Sequence, residues 1–306
     1  MENISDGSAV IAGDSPRLTR QQALAALRSE IAKEKIWLMD ERHLRLMLAD
    51  PASTVFCEAV EAARPSADSG NGSIAVIPIT GPIFYRFSYW SDSLMTLRNR
   101  FRKAASDPSI KAIVLDIHSP GGTVPGVTEF ASDIFEARDE KPIVAVANAM
   151  AASAAYWIAS AATELVVTPS GEVGSIGVWA GHVDLSKMLE NEGVKITLVS
   201  AGKFKVEGNP WEPLTEEARA ALQASVDETY QQFVADVAKG RGKSTAQVIG
   251  DFGEGRMVSA ARAREVGMVD RIATLDQVLA KLSVSKETGR IRFASDQEPE
   301  LQLAEL

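Results

Sequence analysis

The chain is poor in the residues from which cross-links and metal centres are built. It has one cysteine, Cys57, so no disulfide can form within it, which fits a reducing compartment. The same count excludes metal sites made of cysteine clusters. The three histidines, His43, His118 and His182, are too scattered for a zinc motif. Positive charge is also short: 32 Lys and Arg stand against 41 Asp and Glu, a formal net charge of −9. A general nucleic-acid binder needs a basic surface for phosphate contacts, and this balance argues against one. The N-terminus, Met1-Glu2-Asn3-Ile4-Ser5-Asp6, lacks the basic start and apolar run of a secretory signal.

A convincing membrane span is missing too. A transmembrane helix needs about 20 predominantly apolar residues, usually dominated by Leu and Ile. The uncharged stretch Pro142–Thr163 is instead mostly alanine, and Asn148, Ser153 and Ser160 lie inside it. Its first part, Ile143-Val144-Ala145-Val146-Ala147, is short and β-branched, as a buried parallel strand should be. Its second part, Ala151 to Ala162, is alanine-rich and favours helix. The pattern predicts a strand running into a helix, with Ser153 near the junction. With neither signal nor span, a soluble cytoplasmic protein is expected.

What is present is ordinary for a globular chain of 306 residues: 45% hydrophobic and 24% charged. Residues 1–72 read as an N-terminal helical extension and linker. Helical patterning runs over residues 21–50 (Leu24, Leu27, Ile31, Leu44, Leu46, Leu48), and Arg64 to Ser73 has linker composition. Residues 73–283 alternate between element types. Strands are predicted at Ile74–Ile79, Ile110–Ile117, Ile143–Ala147, Leu165–Val167 and Val194–Val199. Helices are predicted at Ser91–Ser106, Gly126–Arg138 and Thr215–Lys239, the last with Thr215 as N-cap. Such alternation predicts an α/β fold with mainly parallel pairing. Residues 284–306 form a polar C-terminal tail.

Two places can carry chemistry. Ser119-Pro120-Gly121-Gly122 follows a strand, and paired glycines let backbone N–H groups face a cleft and donate to an oxyanion. An ordinary strand-to-helix turn is the alternative. Ser153 begins a helix of small residues, where its own N–H is expected to be unpaired and its hydroxyl can attack a carbonyl. A plain N-cap or packing serine is the alternative. A serine nucleophile needs a base. His118 or His182 would complete a triad. Lys203 or Lys205 could serve instead, if burial beside Phe204 and Val206 keeps the amine neutral. Solvated loop lysines are the plain alternative.

Five segments in order then carry a resemblance. They are Leu115-Asp116-Ile117-His118-Ser119-Pro120-Gly121-Gly122; Ala151-Ala152-Ser153-Ala154-Ala155-Tyr156-Trp157-Ile158-Ala159-Ser160; Gly174-Ser175-Ile176-Gly177-Val178; Ala201-Gly202-Lys203-Phe204-Lys205; and Gly255-Arg256-Met257-Val258 with Ala260, Ala261 and Gly267. Over roughly residues 73–283 the chain resembles a signal peptide peptidase A-like serine peptidase, of the branch that includes phage and prophage capsid assembly proteases. The resemblance implies a Clp/crotonase-like fold of repeated strand-strand-helix units. It implies a Ser-Lys dyad, with Ser153 as nucleophile and Lys205 as base, and Ser175 supporting the lysine. Gly122 and Ala154 fall at the oxyanion hole. Gly121 and Tyr156 are assigned to substrate binding, with Trp157 and Trp179 as further candidates for a specificity pocket.

The resemblance also implies a homo-oligomer with active sites shared between subunits, and no metal or cofactor. The substrate would be an unfolded, capsid, scaffold or portal protein, and the location the host cytoplasm if the chain is phage encoded. No nucleic-acid partner and no membrane anchor are expected. His118 and Ala154-Ala155 depart from the family pattern, which often has Asp or Asn and two glycines at these places. Three readings compete with the dyad: a Clp-like Ser-His-Asp peptidase using His182, a crotonase-like acyl-CoA enzyme, and a non-catalytic capsid scaffold.

Overall fold

The computed structural model describes residues 36–39, 73–86 and 91–284. The chain opens with a four-residue strand, β1 (Ile36–Met39), followed by β2 (Ser73–Thr80) and helix α1 (Leu94–Ser106). Next come β3 (Ile110–Ser119), β4 (Gly121–Thr123), α2 (Val127–Ala137), β5 (Ile143–Ala152) and α3 (Ala154–Ser160). Three short strands follow: β6 (Glu164–Val167), β7 (Glu172–Gly174) and β8 (Trp179–Ala180). Then come α4 (Ser186–Asn191), the long α5 (Glu216–Arg241), α6 (Thr245–Asp251), β9 (Met257–Ser259), α7 (Ala260–Val266), β10 (Arg271–Ile272) and α8 (Leu275–Val284).

The main sheet has strand order β10-β6-β5-β3-β2, and every neighbouring pair is parallel. β7 pairs in parallel with the end of β5, and β9 pairs antiparallel with β7. Parallel strands must be covered on both faces, and the sequence obeys this. On β3, Ile113, Leu115 and Ile117 face one core, together with Leu97 and Phe101 of α1, Phe130 and Ile134 of α2, and most of α3. Val114 alternates to the other face, where it meets Val144, Val146, Val166 and Val278 of α8. The α/β class and the parallel sheet are therefore as the sequence predicts, and β3, β4 and α2 form a strand-strand-helix unit.

Local chemistry sets the helix ends. Ser93 caps α1 by accepting from the Thr96 N–H at 3.2 Å, and the helix stops at Asp107, ahead of Pro108. Thr215 caps α5 in the same way through the Ala218 N–H. Near its other end, α5 lies so close to α3 that a Cβ on Gly240 would sit 2.3 Å from the Ser160 carbonyl oxygen. Trp157 stacks on Phe233 of α5 with ring centroids 4.5 Å apart. Burying such a side chain stabilises the fold by about 1.5–3 kcal/mol.

Three expectations change. β5 runs to Ala152 rather than Ala147, because Met150, Ala151 and Ala152 gain a partner in β7; the helix accordingly begins at Ala154. Val194–Val199 is not a strand. Its β-branched residues favour one, but Val194, Ile196 and Val199 are exposed and have no strand to pair with among the described residues. Ile36–Met39, placed by its surroundings in a helical extension, is a strand paired into the body of the protein. The helix α5 forms as predicted, and apart from Ala218 its buried residues lie in the C-terminal part, at Phe233, Val234, Val237 and Ala238. The rest of the N-terminal extension, most of the linker and the tail beyond Val284 lie outside the described residues. Among the described residues, no helix is long and apolar enough to cross a membrane.

Candidate active site

The site is built at the C-terminal ends of β3 and β5, where an open parallel sheet places its turns. Ser119, the last residue of β3, pairs with Ala151 of β5. Beyond these two the strands turn sharply, β3 into Gly121-Gly122 and β5 into Ser153.

Each turn is pinned by backbone constraints. Ser119 is buried; its hydroxyl donates to the Gly81 carbonyl at 2.7 Å and accepts from the Gly121 N–H at 3.2 Å. Gly121 has φ of 94°, a conformation that L side chains rarely adopt. A Cβ on Gly122 would lie 1.7 Å from the Ile83 carbonyl oxygen, so no other residue fits there without backbone movement. The sequence marks this turn through its glycines, whereas the role of Ser119 as its tie is not readable from the motif.

Ser153 has φ of 54° and ψ of −119°, outside helix and strand, between the end of β5 and the first residue of α3. A non-glycine residue in so sparsely populated a conformation costs on the order of 1–3 kcal/mol. The surroundings hold it there. Its N–H donates to the Gly174 carbonyl at 2.8 Å, and its carbonyl accepts from the Trp157 N–H at 2.9 Å. This corrects the expectation that the Ser153 N–H is free: β7 takes it before the helix begins. Ser153 is 1% exposed, and its Oγ has no hydrogen-bond partner among the described residues. A buried hydroxyl without a partner costs about 1–3 kcal/mol, so this one needs an explanation.

Ser175 stands beside it. Ala152 and Gly174 are paired across β5 and β7, so Ser153 and Ser175 are the next residues on adjacent strands. Ser175 also has positive φ, 52°, and its N–H is held by the Arg256 carbonyl at 2.9 Å. The segment Gly255-Arg256-Met257-Val258 thus supports the Ser175 turn through β9. α3, which begins at Ala154, packs against β4, which carries the glycine turn.

The bases are not assembled on the serine within one chain. Lys205 is exposed in the turn that follows Gly202, and no hydrogen bond links it to Ser153. The desolvation expected from Phe204 is absent, because Phe204 is itself exposed. Lys203 is committed elsewhere: it pairs with Glu217 at 2.7 Å and lies 4.4 Å over the Phe204 ring. His118 Nδ1 contacts the Asn148 carbonyl at 3.1 Å. His182 is half-buried beside Glu207, Gly208 and Leu214, and its Nε2 has no partner among the described residues. Neither histidine reaches Ser153 Oγ.

Two aromatic expectations are overturned. Tyr156 is fully buried and its hydroxyl donates to the Met268 carbonyl at 3.0 Å, so it is a core residue rather than a substrate contact. Burial pushes its phenol well above the usual range. Trp157 is buried as well, with Nε1 donating to Asp236 at 3.0 Å. Trp179 differs: it lies on β8 and its Nε1 donates to the Met39 carbonyl of β1. Among the described residues, no group of three or more His, Cys, Asp or Glu side chains converges.

Comparison with known proteins gives the site a context. The family model of peptidase family S49 matches residues 136–288. Capsid assembly protease C of Escherichia phage lambda is 39% identical over 226 residues, covering 72% of this chain and 51% of that protein. Head-tail preconnector protein GP5 of Enterobacteria phage P21 is 32% identical over 220 residues, 69% of this chain and 43% of that protein. The putative signal peptide peptidase SppA of Enterococcus faecium is 29% identical over 215 residues, 69% of this chain and 61% of that one. The chain spans about half the length of the two phage relatives.

Proposed function

The chain belongs to peptidase family S49, and from that premise we propose that it is a serine endopeptidase with Ser153 as its nucleophile. One observation carries the reading: a buried serine hydroxyl without a partner is held in a strained turn between a strand and a helix, beside a Gly-Gly turn that only glycine can form. A core serine would be bonded; a nucleophile awaiting its base and substrate need not be.

Lys205 is the base, and it comes from a neighbouring subunit. Within one chain Lys203 already has Glu217 as a partner, whereas Lys205 projects from an exposed segment. Burial in a contact between subunits would strip water from the amine, the condition a lysine base needs. Lys205 then takes the Ser153 proton while Oγ attacks the peptide carbonyl. The backbone N–H groups of Gly122 and Ala154 hold the oxyanion, and Ser175 steadies the amine. The protonated lysine returns its proton to the leaving amine, and water hydrolyses the acyl-enzyme with Lys205 again as base. The substrates are unfolded proteins or capsid, scaffold and portal proteins, in keeping with the names of the phage relatives. The enzyme works as a homo-oligomer of the 73–283 domain.

A fluorophosphonate probe tests the assignment. The native protein is expected to be labelled at Ser153 and to digest casein, and Ser153→Ala to do neither. Lys205→Met is expected to lose cleavage. Full activity in Lys205→Met would remove the dyad.

A further inference from the structure

β1 lies between β4 and β8, antiparallel to both. β4 and β8 are therefore parallel edges separated by a slot one strand wide, about 10 Å from strand to strand. The registers show what β1 uses in that slot. Ile83 takes one edge of β4: its N–H donates to the Gly121 carbonyl and its carbonyl accepts from the Thr123 N–H, both at 2.8 Å. Backbone groups alternate along a strand, so the N–H and carbonyl of Gly122 point to the opposite edge. Leu38 stands directly across from Gly122 on that edge. The same alternation turns Trp37 and Met39 toward β8. There Trp37 is in register with Trp179, and the Met39 carbonyl accepts the Trp179 indole N–H at 3.0 Å. Met39 is buried.

We propose that β1 is a built-in occupant of the substrate cleft: Ile36–Met39 pairs where an extended substrate would pair, and holds the native enzyme to a small fraction of its full activity while it stays. The inference rests on the peptidase reading of Ser153 and Gly122. The Gly122 N–H assigned to the oxyanion faces the β1 backbone, so the two uses exclude each other. Once vacated, β4 and β8 offer two unpaired edges, which capture an extended peptide through main-chain bonds. Such a peptide would run in the direction of β1, antiparallel to Gly121–Thr123. Residues 40–72 tether β1 to β2, which makes its binding intramolecular. A tethered strand acts at an effective concentration on the order of millimolar, so dilute substrate competes with it poorly. Release follows when the extension is cut or when β1 pairs elsewhere.

Leu38→Pro tests this in the full-length chain, because proline removes the N–H that faces the Gly122 carbonyl. Two signals are read together: hydrogen exchange over Gly121–Thr123, and the rate of fluorophosphonate labelling at Ser153. Exchange is expected to speed up and labelling to rise by about tenfold or more, since the competent fraction grows. A second variant guards against misfolding and runs in the opposite direction. Trp37 and Thr123 are opposed without mutual hydrogen bonds, a pair spaced at about 4.5 Å and open to a disulfide. Trp37→Cys with Thr123→Cys, in a Cys57→Ser background, is expected to lose labelling when oxidised and recover it on reduction. Unchanged exchange in Leu38→Pro overturns the proposal. So does faster exchange with labelling unchanged or lost, or equal labelling of the oxidised and reduced double variant. If exchange responds but Ser153 is labelled in no form, the peptidase reading itself falls, and the inhibitory role falls with it.

Discussion

The strand-to-helix junction at Ser153 and the excursion that carries Lys205 are built in opposite ways. Around Ser153 every neighbour from Ala151 to Ala159 is buried, and the backbone is tied on both sides, to Gly174 before the helix and through Trp157 within it. Around Lys205 the chain from Gly181 to Leu214 exposes Val183, Met188, Val194, Phe204 and Trp211, and Val199 is 94% exposed. The helix within it, α4, buries no residue. One half of the proposed site is finished inside the chain. The other half leaves several apolar side chains exposed among the described residues, the mark of a surface that meets another molecule. Under the proposed assignment the site divides along the same line, with a firmly held nucleophile in one half and, in the other, a base that takes its place on assembly.

The sharpest way to break this comparison is to separate its halves. Ser153→Ala and Lys205→Met are each expected to lower casein cleavage at least roughly a thousandfold. Mixed in equal amounts under subunit exchange, they should regain about a quarter of native activity, since that share of contacts joins an intact serine to an intact lysine. No recovery would place both residues in one chain and remove the division.

The stability of the two halves should differ next. Trp157→Ala takes the stacked ring from between α3 and α5 and is expected to cost about 3–5 kcal/mol in urea unfolding. A cost below about 1 kcal/mol would show that the nucleophile helix is less firmly held than its burial implies. On the same rigid side, Asp133 of α2 ties Arg98 and Arg102 of α1. Burial pushes the Asp133 carboxyl up, but the hydrogen bonds from both arginines outweigh it and leave the group below its usual range. Its contribution is therefore full above the ordinary aspartate range and is lost as pH falls through the lowered value. Asp133→Asn should cost about 1 kcal/mol at neutral pH, with the gap closing in acid. A gap that persists in acid would point to packing rather than charge.

The smallest effect belongs to the exposed half. Phe204→Ala should change unfolding of the dilute protein by no more than about 0.5 kcal/mol, while shifting sedimentation toward smaller species. Sedimentation unchanged from the native protein would place the contact elsewhere.

Much of the rigid half could be read from the amino acids, and little of the other. The run Ile143–Ala147 announces a buried strand because β-branched residues and small size leave few alternatives, and Ala154–Ser160 announces a helix. Gly121-Gly122 and Ser153 stand out because their surroundings admit only small residues. The strand expected at Val194–Val199 did not form, since propensity without a partner leaves a strand no one to bond with. β1 was hidden for the converse reason: four residues inside a helical pattern carry too weak a signal, and their partners lie far along the chain. The resemblance makes Tyr156 and Trp157 candidates for the substrate cleft. A seven-residue helix buried on all sides sends its aromatic side chains into the core instead.

The bond from the Ser175 N–H to the Arg256 carbonyl also bears on time. During synthesis Ser153 leaves the ribosome long before Arg256 and the strand Met257–Ser259 do. Until they arrive, Gly174 can pair with Ala152 of β5, but the Ser175 amide lacks its acceptor and the turn is tied on one side only. A nascent chain of this protein therefore carries its serine for about a third of its length, the 103 residues from Ser153 to Arg256, before the last tie on the neighbouring turn can form, and the finished geometry appears only when the domain is nearly complete.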